Sequence, residues 1–283
     1  MSVVQILILA LVQGAAELLP VSSSAHVIVA EKLMGLDPTT PQMTMLLVML
    51  HTGTMFAVIV YFWKAWKESF FSSGKAFVES MKYVLAATAV TGAVGIVLKV
   101  LIEKLFMKDV PHAEIELLFG NMTLISAALG AAGLLIFYAG LASRSDGDRG
   151  LGMKESCLVG AIQGLCLPFR GFSRSGSTIS AGLMLGVPRR RIEEFSFALA
   201  VVLTPPVIAR EVMRLLKDQH AASAGSLAGM FTPGLIGMAF SFFAGLLALK
   251  WLSSWLEEGR WHFFGIYCLA ASGVVFGLHQ AGY

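Results

Sequence analysis

Charged residues are scarce in this chain of 283 residues. Only 14% of its side chains are charged, 56% are hydrophobic, and the mean hydropathy is +0.75. This composition excludes an ordinary soluble domain and is typical of proteins that cross a membrane several times. The formal net charge of +3 comes from basic residues that lie mostly between apolar runs. They therefore indicate membrane topology, and no nucleic-acid partner is predicted.

Cysteine is scarce as well. Cys157, Cys166 and Cys268 show no C-x-x-C spacing and lie in apolar surroundings. A disulfide framework and a cysteine metal site are therefore not predicted, and the three residues are interpreted as packing residues. The N-terminal segment MSVVQILILALVQGAAELLP also lacks a basic region and an A-x-A cleavage site, so it is expected to belong to the mature protein.

The chain is instead rich in long apolar runs. Five are long enough to cross about 30 Å of hydrocarbon as helices, namely residues 42–63, 83–106, 115–141, 231–252 and 261–281. A sixth run, 191–216, contains 204-TPP-206, whose prolines are expected to kink or interrupt the helix. The sequence thus predicts an all-α integral membrane protein with six transmembrane helices.

Two other segments, 2–35 and 152–187, each contain two short apolar runs around a polar centre rich in Gly, Pro and Ser. Each half is too short to span the membrane. Irregular backbone at membrane depth is tolerated only where protein or a water-filled cavity surrounds it. Both segments are therefore predicted to be re-entrant helical hairpins.

The two hairpins resemble each other. The first reads 12-VQG-14 and then 22-SSSAHVIVAEKLMG-35, and the second reads 162-IQG-164 and then 173-SRSGSTISAGLMLG-186. Three spans separate the hairpins, so the second is expected to enter from the opposite face. The chain is therefore predicted to be one membrane domain with an inverted-topology repeat, whose halves are 1–141 and 142–283.

The basic residues predict an orientation. Twelve of the 21 lysines and arginines fall on the face that holds 64–82, 142–154, 187-VPRRR-191 and 253–260, and seven fall on the other face. The positive-inside rule places the first face in the cytoplasm. Both termini and the first hairpin are then outside.

The second hairpin carries two arginines in the stretch 169-FRGFSRSGSTIS-180. Hydroxyl and glycine residues at a helix start expose backbone N–H groups, and with an adjacent guanidinium they form an anion site that suits phosphate. Arg174 could instead pair with a carboxylate, and Arg170 could bind a second phosphate or backbone carbonyls. The predicted phosphate ligands on this hairpin are Arg170, Ser173, Arg174, Ser175, Gly176, Ser177 and Thr178.

The first hairpin carries Gln13 and Glu17, four residues apart on one helix face, followed by Pro20, the serines Ser22, Ser23 and Ser24, and His26. Glu17 could act as a general base, bind a divalent cation or pair with Arg174. His26 is predicted to be functional, whereas His51 could equally line the site or pack. Cationic groups, a nucleophile and an acid or base together suit hydrolysis of a phosphoanhydride.

These residues carry a resemblance to a known family. The stretch 13-QGAAELLPVSSSAH-26 resembles the (E/Q)xxxE-(F/L)LPVSSxxH signature of the undecaprenyl-diphosphate phosphatase family, also called the bacitracin-resistance protein family, and 171-GFSRSGSTIS-180 resembles its PGxSRSxxT motif. By this likeness the catalytic residues are Glu17, Ser23, His26 and Arg174. Ser22 and Ser24 join the predicted phosphate ligands, and Glu17 with Gln13 are the candidate metal ligands.

The resemblance implies a multi-pass phosphatase of the bacterial inner membrane, with its site open to the periplasm. Such an enzyme removes the terminal phosphate of undecaprenyl diphosphate, a C55 lipid, and so recycles the carrier for peptidoglycan and other envelope polymers. A divalent cation, Mg²⁺ or Ca²⁺, is expected to assist. Bacitracin is expected to compete for the substrate, so overproduction would confer resistance, and a homodimer is left open.

One departure from the family motif and two alternatives remain at this point. This chain has 168-PFRG-171 where the family has Pro-Gly before xSRS, which changes the loop and adds Arg170. The nucleophile could be Ser23, which we favour, or His26, or a metal-bound water. Inverted repeats with broken helices are also typical of secondary transporters, so a transporter or flippase of undecaprenyl phosphate or another anion is the second hypothesis.

Overall fold

A computed structural model of the chain describes residues 1–37, 40–106, 115–143, 147–221 and 227–282. These residues form α-helices and one short 3-10 helix, with no strand among them, which confirms the all-α prediction. The α-helices are α1 Val3–Leu18, α2 Ser23–Leu33, α3 Pro41–Ser69, α4 Gly74–Phe106, α5 Met122–Ala142, α6 Met153–Cys166, α7 Arg174–Met184, α8 Arg189–Ala221, α9 Leu227–Glu257 and α10 Trp261–Gln280.

Within those described ranges, six helices contain stretches long and apolar enough to cross a membrane. They are Met43–Ser69, Gly74–Leu105, Met122–Ala142, Arg189–Arg210, Thr232–Glu257 and Trp261–Gln280. The predicted number of spans is confirmed, and by length and composition the chain is a multi-pass membrane protein.

Three details differ from the prediction. α4 begins at Gly74, so the connection after α3 is short. The run 115–141 is divided, because Asn121 accepts a hydrogen bond from the Leu124 N–H and caps α5, while Ile115–Gly120 forms the 3-10 helix. α8 continues through Pro205 and Pro206, so the expected interruption is wrong and the kink stays a prediction. Lys108 and Arg144 of the charge count lie outside the described residues.

The polar-centred segments fold as two pairs of short helices, α1 with α2 and α6 with α7, and the members of each pair pack against each other. α1 has 16 residues and α6 has 14, so each extends about 20–25 Å, which is less than the hydrocarbon thickness. α1 ends where it does because Leu19 precedes Pro20 and is extended. Ser22 therefore lies between the helices, and Ser23 and Ser24 begin α2.

Equivalent glycines allow each pair to approach a long helix of the opposite half of the chain. A Cβ added at Gly14 would lie 2.6 Å from the Ala244 Cβ of α9, and one added at Gly164 would lie 2.7 Å from the Val94 Cβ of α4. No side chain fits at either position. The VQG and IQG segments thus have the same packing role in the two halves.

Gly14→Ala should destabilise the protein, because the added methyl group overpacks a contact between α1 and α9 and such changes cost about 1–3 kcal/mol. Gly273→Ala is the matched control, since a Cβ there would meet nothing within 4 Å. Thermal unfolding in detergent should show a lower midpoint for Gly14→Ala alone. Equal midpoints for the two variants would contradict the close packing.

Candidate functional site

The turns of the two helix pairs meet at one open cavity with about 620 Å³ of empty space. Eight of the predicted site residues line it, four from each pair: Glu17, Ser22, Ser23, Ser24, Arg170, Ser173, Arg174 and Ser175. Phe169, Phe172 and Leu167 add apolar wall. Polar groups 157 residues apart in the sequence, Glu17 and Arg174, are thus brought to one place.

Glu17 is the centre of the hydrogen bonds in this cavity. Its Oε2 accepts from the Ser23 hydroxyl at 2.5 Å and from Gln13 Nε2 at 3.2 Å. Its Oε1 lies 3.5 Å from Arg174 Nη2. A carboxylate that accepts from a serine hydroxyl is positioned to take the proton of that hydroxyl.

The Arg174 guanidinium uses only part of its hydrogen-bonding capacity within the described chain. Its Nη2 faces Glu17, but its Nη1 is buried and has no hydrogen-bond partner among the described residues. The guanidinium carbon lies 5.9 Å from the ring centroid of Phe197 on α8. Because an unsatisfied buried donor costs free energy, this nitrogen favours the binding of an anion.

Two further contacts join the turns. The Gly171 N–H donates to Ser24 Oγ at 3.4 Å, and the Ser175 hydroxyl donates to the Leu19 carbonyl at 3.4 Å. Gly171 has a φ of +101°, which favours glycine, and a Cβ there would collide with the Ile125 carbonyl. The backbone of the second turn is therefore fixed by α5 as well as by the first turn.

Arg170, the residue that departs from the family motif, also lines the cavity. Its guanidinium carbon lies 4.6 Å from the ring centroid of Phe119, which is a cation–π distance. The side chain therefore adds a second positive charge to the wall of the cavity.

The remaining residues of the arginine motif stabilise the start of α7 or its packing against α8. Ser173 caps the helix by accepting from the Gly176 N–H at 3.2 Å. The Thr178 hydroxyl contacts Ser196 Oγ of α8 at 2.7 Å, and Ser177 Oγ is buried without a partner in the described chain. Ser173 also lines the cavity, whereas Gly176, Ser177 and Thr178 do not, so for these three a direct role as phosphate ligands stays a prediction.

His26 lies outside the cavity lining and contacts α10. Its Nδ1 is 2.8 Å from the Ser22 carbonyl oxygen, and its Nε2 is 2.8 Å from the Tyr267 hydroxyl. Tyr267 was not predicted, because one tyrosine in an apolar span carries no motif. The only signal was its polar hydroxyl in a helix that offers few polar groups.

His51 of α3 lines a second, smaller cleft that Glu17 and Arg174 also line. Its Nε2 lies 3.8 Å from Glu17 Oε2, while its Nδ1 contacts the Leu47 carbonyl at 2.8 Å. Of the two roles left open for this residue, the structure favours lining the site over packing.

The donors present suit a hard cation only in part. Mg²⁺ and Ca²⁺ prefer oxygen ligands, and Glu17 with the Gln13 amide offers two such groups. Across the ranges that the structure describes, no cluster of three or more His, Cys, Asp or Glu residues could hold an ion. A cation here fits if phosphate and water oxygens complete its coordination, as Mg²⁺ commonly requires.

The fold and the cavity together define a polytopic membrane protein with a candidate anion-binding centre between two pairs of short helices. The model of the family described as bacitracin resistance protein BacA matches residues 6–275. The chain therefore belongs to this family.

Several relatives are similar over nearly their whole length. Undecaprenyl-diphosphatase 2 of Acinetobacter baylyi is 59% identical over 280 residues, which cover 97% of each chain. Undecaprenyl-diphosphatase of Bacteroides fragilis is 32% identical with 95% of each chain covered, and that of Parabacteroides distasonis is 30% identical with 97% covered.

Arg174→Ala should weaken binding of inorganic diphosphate about tenfold or more, because a hydrogen bond to a charged group contributes about 1.5–3 kcal/mol. Glu17→Gln should bind as tightly as wild type or more tightly, because it removes the anion that competes for Arg174. Titration calorimetry in detergent measures both. Arg260→Ala is the control, since Arg260 is exposed and pairs with Glu258. Unchanged affinity in Arg174→Ala would contradict this anion site.

Proposed function

We propose that this chain is an integral membrane phosphatase that hydrolyses undecaprenyl diphosphate to undecaprenyl phosphate and inorganic phosphate. The observation that carries the proposal is the contact of Ser23 with Glu17, beside Arg174, in one cavity. The relative that is 59% identical is named an undecaprenyl-diphosphatase. The reaction would recycle the lipid carrier for peptidoglycan and other envelope polymers.

In the first step Ser23 Oγ attacks the terminal phosphorus. The new Oγ–P bond forms as the bond from phosphorus to the bridging oxygen breaks, and undecaprenyl phosphate leaves with that oxygen. The Ser23 proton passes to Glu17 Oε2, which already accepts this hydrogen bond. Arg174 stabilises the negative charge on the phosphates, with its unpaired Nη1 as the available donor.

In the second step water attacks the phosphoserine. Glu17 has by then passed its first proton to the departing undecaprenyl phosphate oxygen, so its carboxylate takes a proton from the attacking water. It returns this proton to Ser23 Oγ as the Oγ–P bond breaks, and inorganic phosphate leaves. Arg170 and the first residues of α7, Arg174 and Ser175, line the same cavity, so the Arg170 charge and the N-terminal end of α7 provide further positive potential. Positioning and charge stabilisation thus come from both helix pairs.

A divalent cation, Mg²⁺ or Ca²⁺, would be held by Glu17 with Gln13 beside it, and when bound it supplies further neutralisation of the phosphate charge. The side chains of the protein would orient the substrate whether the cation neutralises one or two of the negative charges on the phosphates.

The contacts of the candidate nucleophiles favour Ser23 over His26. The Ser23 hydroxyl donates to a carboxylate and lines the cavity. Both ring nitrogens of His26 already contact other groups, namely the Ser22 carbonyl and the Tyr267 hydroxyl. A metal-bound water remains the alternative that the experiments below distinguish.

The membrane arrangement is also part of the proposal. The helix pairs are proposed to be re-entrant and related by an inverted repeat, with both termini and the cavity on the periplasmic side of the bacterial inner membrane. The equivalent close contacts of Gly14 with α9 and of Gly164 with α4 support this symmetry, because each pair packs on the other half of the chain. Bacitracin would compete for the lipid substrate, and a homodimer remains compatible with the exposed apolar helices.

Purified wild type in detergent should release phosphate from undecaprenyl diphosphate, whereas a transporter has no reason to hydrolyse its cargo. Ser23→Ala should abolish release, because it removes the nucleophile. Ser24→Ala, which loses a hydroxyl of the same cavity but no contact with Glu17, should cost about a hundred-fold or less. Equal turnover of the two variants would count against Ser23 as nucleophile.

Rapid quench with substrate labelled in the terminal phosphate tests the same step directly. An acid-stable labelled protein that is missing in Ser23→Ala supports phosphoserine. An acid-labile one that survives in Ser23→Ala moves the role to His26. No labelled protein, together with substantial Ser23→Ala turnover, favours a metal-bound water.

The proposed topology puts the connection between α3 and α4 in the cytoplasm. A cysteine at position 73, which is exposed, should not react with a membrane-impermeant maleimide in intact spheroplasts and should react after permeabilisation. Ser2→Cys, at the exposed N-terminus, is the control and should react without permeabilisation. Reaction at position 73 from outside would overturn the orientation.

A further inference from the structure

The first turn of the site is held from outside the two helix pairs, by α10. Two consecutive residues of this helix contact the turn. The Tyr267 hydroxyl lies 2.8 Å from His26 Nε2, and the Cys268 thiol donates to the Pro20 carbonyl at 3.3 Å. Cys268 is completely buried. These contacts fall on both sides of the serines, at the start and the end of the Pro20–His26 segment.

α10 is itself firmly attached. It packs along α5, where the Ser272 hydroxyl donates to the Ser126 carbonyl at 2.8 Å and the Ser126 hydroxyl donates to the Ser272 carbonyl at 3.0 Å. Gly133 and Gly265 let the two backbones approach closely, since a Cβ at either would meet backbone atoms of the other helix within about 3 Å. α10 can therefore act as a fixed support for the turn.

The chemistry of the His26 contacts assigns its protons. A carbonyl oxygen can only accept, so Nδ1–H donates to Ser22 O. In the neutral ring Nε2 then accepts from the Tyr267 hydroxyl. The two rings are also stacked, with their planes 12° apart and their centroids 5.7 Å apart. Both nitrogens are thus occupied by structural contacts, and the ring lies outside the cavity.

His26 contacts the carbonyl of Ser22, and the backbone of Ser22 is strained. Ser22 has a φ of +67° and is the one non-glycine residue with positive φ in the described ranges. It precedes α2 without forming a side-chain cap. Its backbone sets the direction of Ser23, whose hydroxyl must reach Glu17. A residue held in such a conformation needs surrounding contacts that maintain it.

We infer that Tyr267 is a positioning residue of the reaction, and that His26 acts with it by holding the Ser22 carbonyl rather than by transferring a proton. This inference rests on the proposed function. Tyr267 fixes the imidazole plane, the imidazole fixes the Ser22 backbone, and that backbone aims Ser23 at Glu17. Tyr267 belongs to an apolar span and is half-buried.

Two substitutions of His26 separate positioning from proton transfer. In His26→Asn the amide nitrogen is as many bonds from Cβ as Nδ1 is, so it can still donate to the Ser22 carbonyl, although it cannot titrate. His26→Asn should therefore keep kcat within about tenfold of wild type, while His26→Ala should lose about a hundredfold, as a misplaced reacting group does. If His26→Asn is as inactive as His26→Ala, the imidazole takes part in the chemistry and the inference is wrong.

Tyr267→Phe provides the second test. It should lower kcat about five- to tenfold with little change in KM, because one hydrogen bond of the positioning chain is lost. In the His26→Asn background it should have no further effect, because the shorter side chain does not reach Tyr267, and this non-additivity is the sign of a shared path. Additive effects of the two substitutions on kcat would contradict the inference that Tyr267 acts through His26.

Tyr138→Phe is the matched control, since Tyr138 is an exposed tyrosine of α5 that lies outside the site. It should leave kcat unchanged, and a loss equal to that of Tyr267→Phe would contradict the inference. If His26→Ala does not fold, judged by its thermal unfolding, the milder His26→Asn and Tyr267→Phe variants decide the question. Absence of phosphate release by wild type would instead overturn the proposed function itself.

Discussion

The structure depends on one ion pair, between the Glu17 carboxylate and the Arg174 guanidinium. Each charge would be costly alone in an apolar protein, and each reduces that cost for the other. The pair is long, at 3.5 Å, and leaves Arg174 Nη1 unsatisfied. The two helix pairs are therefore drawn together without the guanidinium being saturated, which leaves positive charge for a phosphate.

The approach of the helix pairs requires small residues elsewhere. Gly14 and Gly164 let α1 and α6 lie against long helices of the opposite half, and Gly171 lets the second turn pass close to α5. In a membrane, helices associate through such close packing because lipid is as apolar as the side chains. The position of the polar turns is thus set by packing at sites that carry no catalytic group.

The polar side chains of the site have two roles, which are to line the cavity and to stabilise the start of α7. Ser23 and Ser24 line the cavity, Ser173 both lines it and caps α7, and Thr178 contacts α8. The motif therefore combines groups that can meet a ligand with groups that keep the helix start in shape. A serine-rich motif is needed for both purposes, since a helix start has unpaired N–H groups of its own.

The sequence by itself determined the membrane class, the six spans, the two polar-centred segments and most of the cavity lining, because hydropathy and helix starts are local properties of the chain. Tertiary structure decided what depends on distant contacts. His26 carries a strong motif signal yet faces Tyr267, 241 residues away in sequence. Whether His51 lines the site or packs against other side chains likewise depends on how closely α1 approaches α3. No spacing along a chain encodes which helices become neighbours, because that is settled by how their surfaces fit.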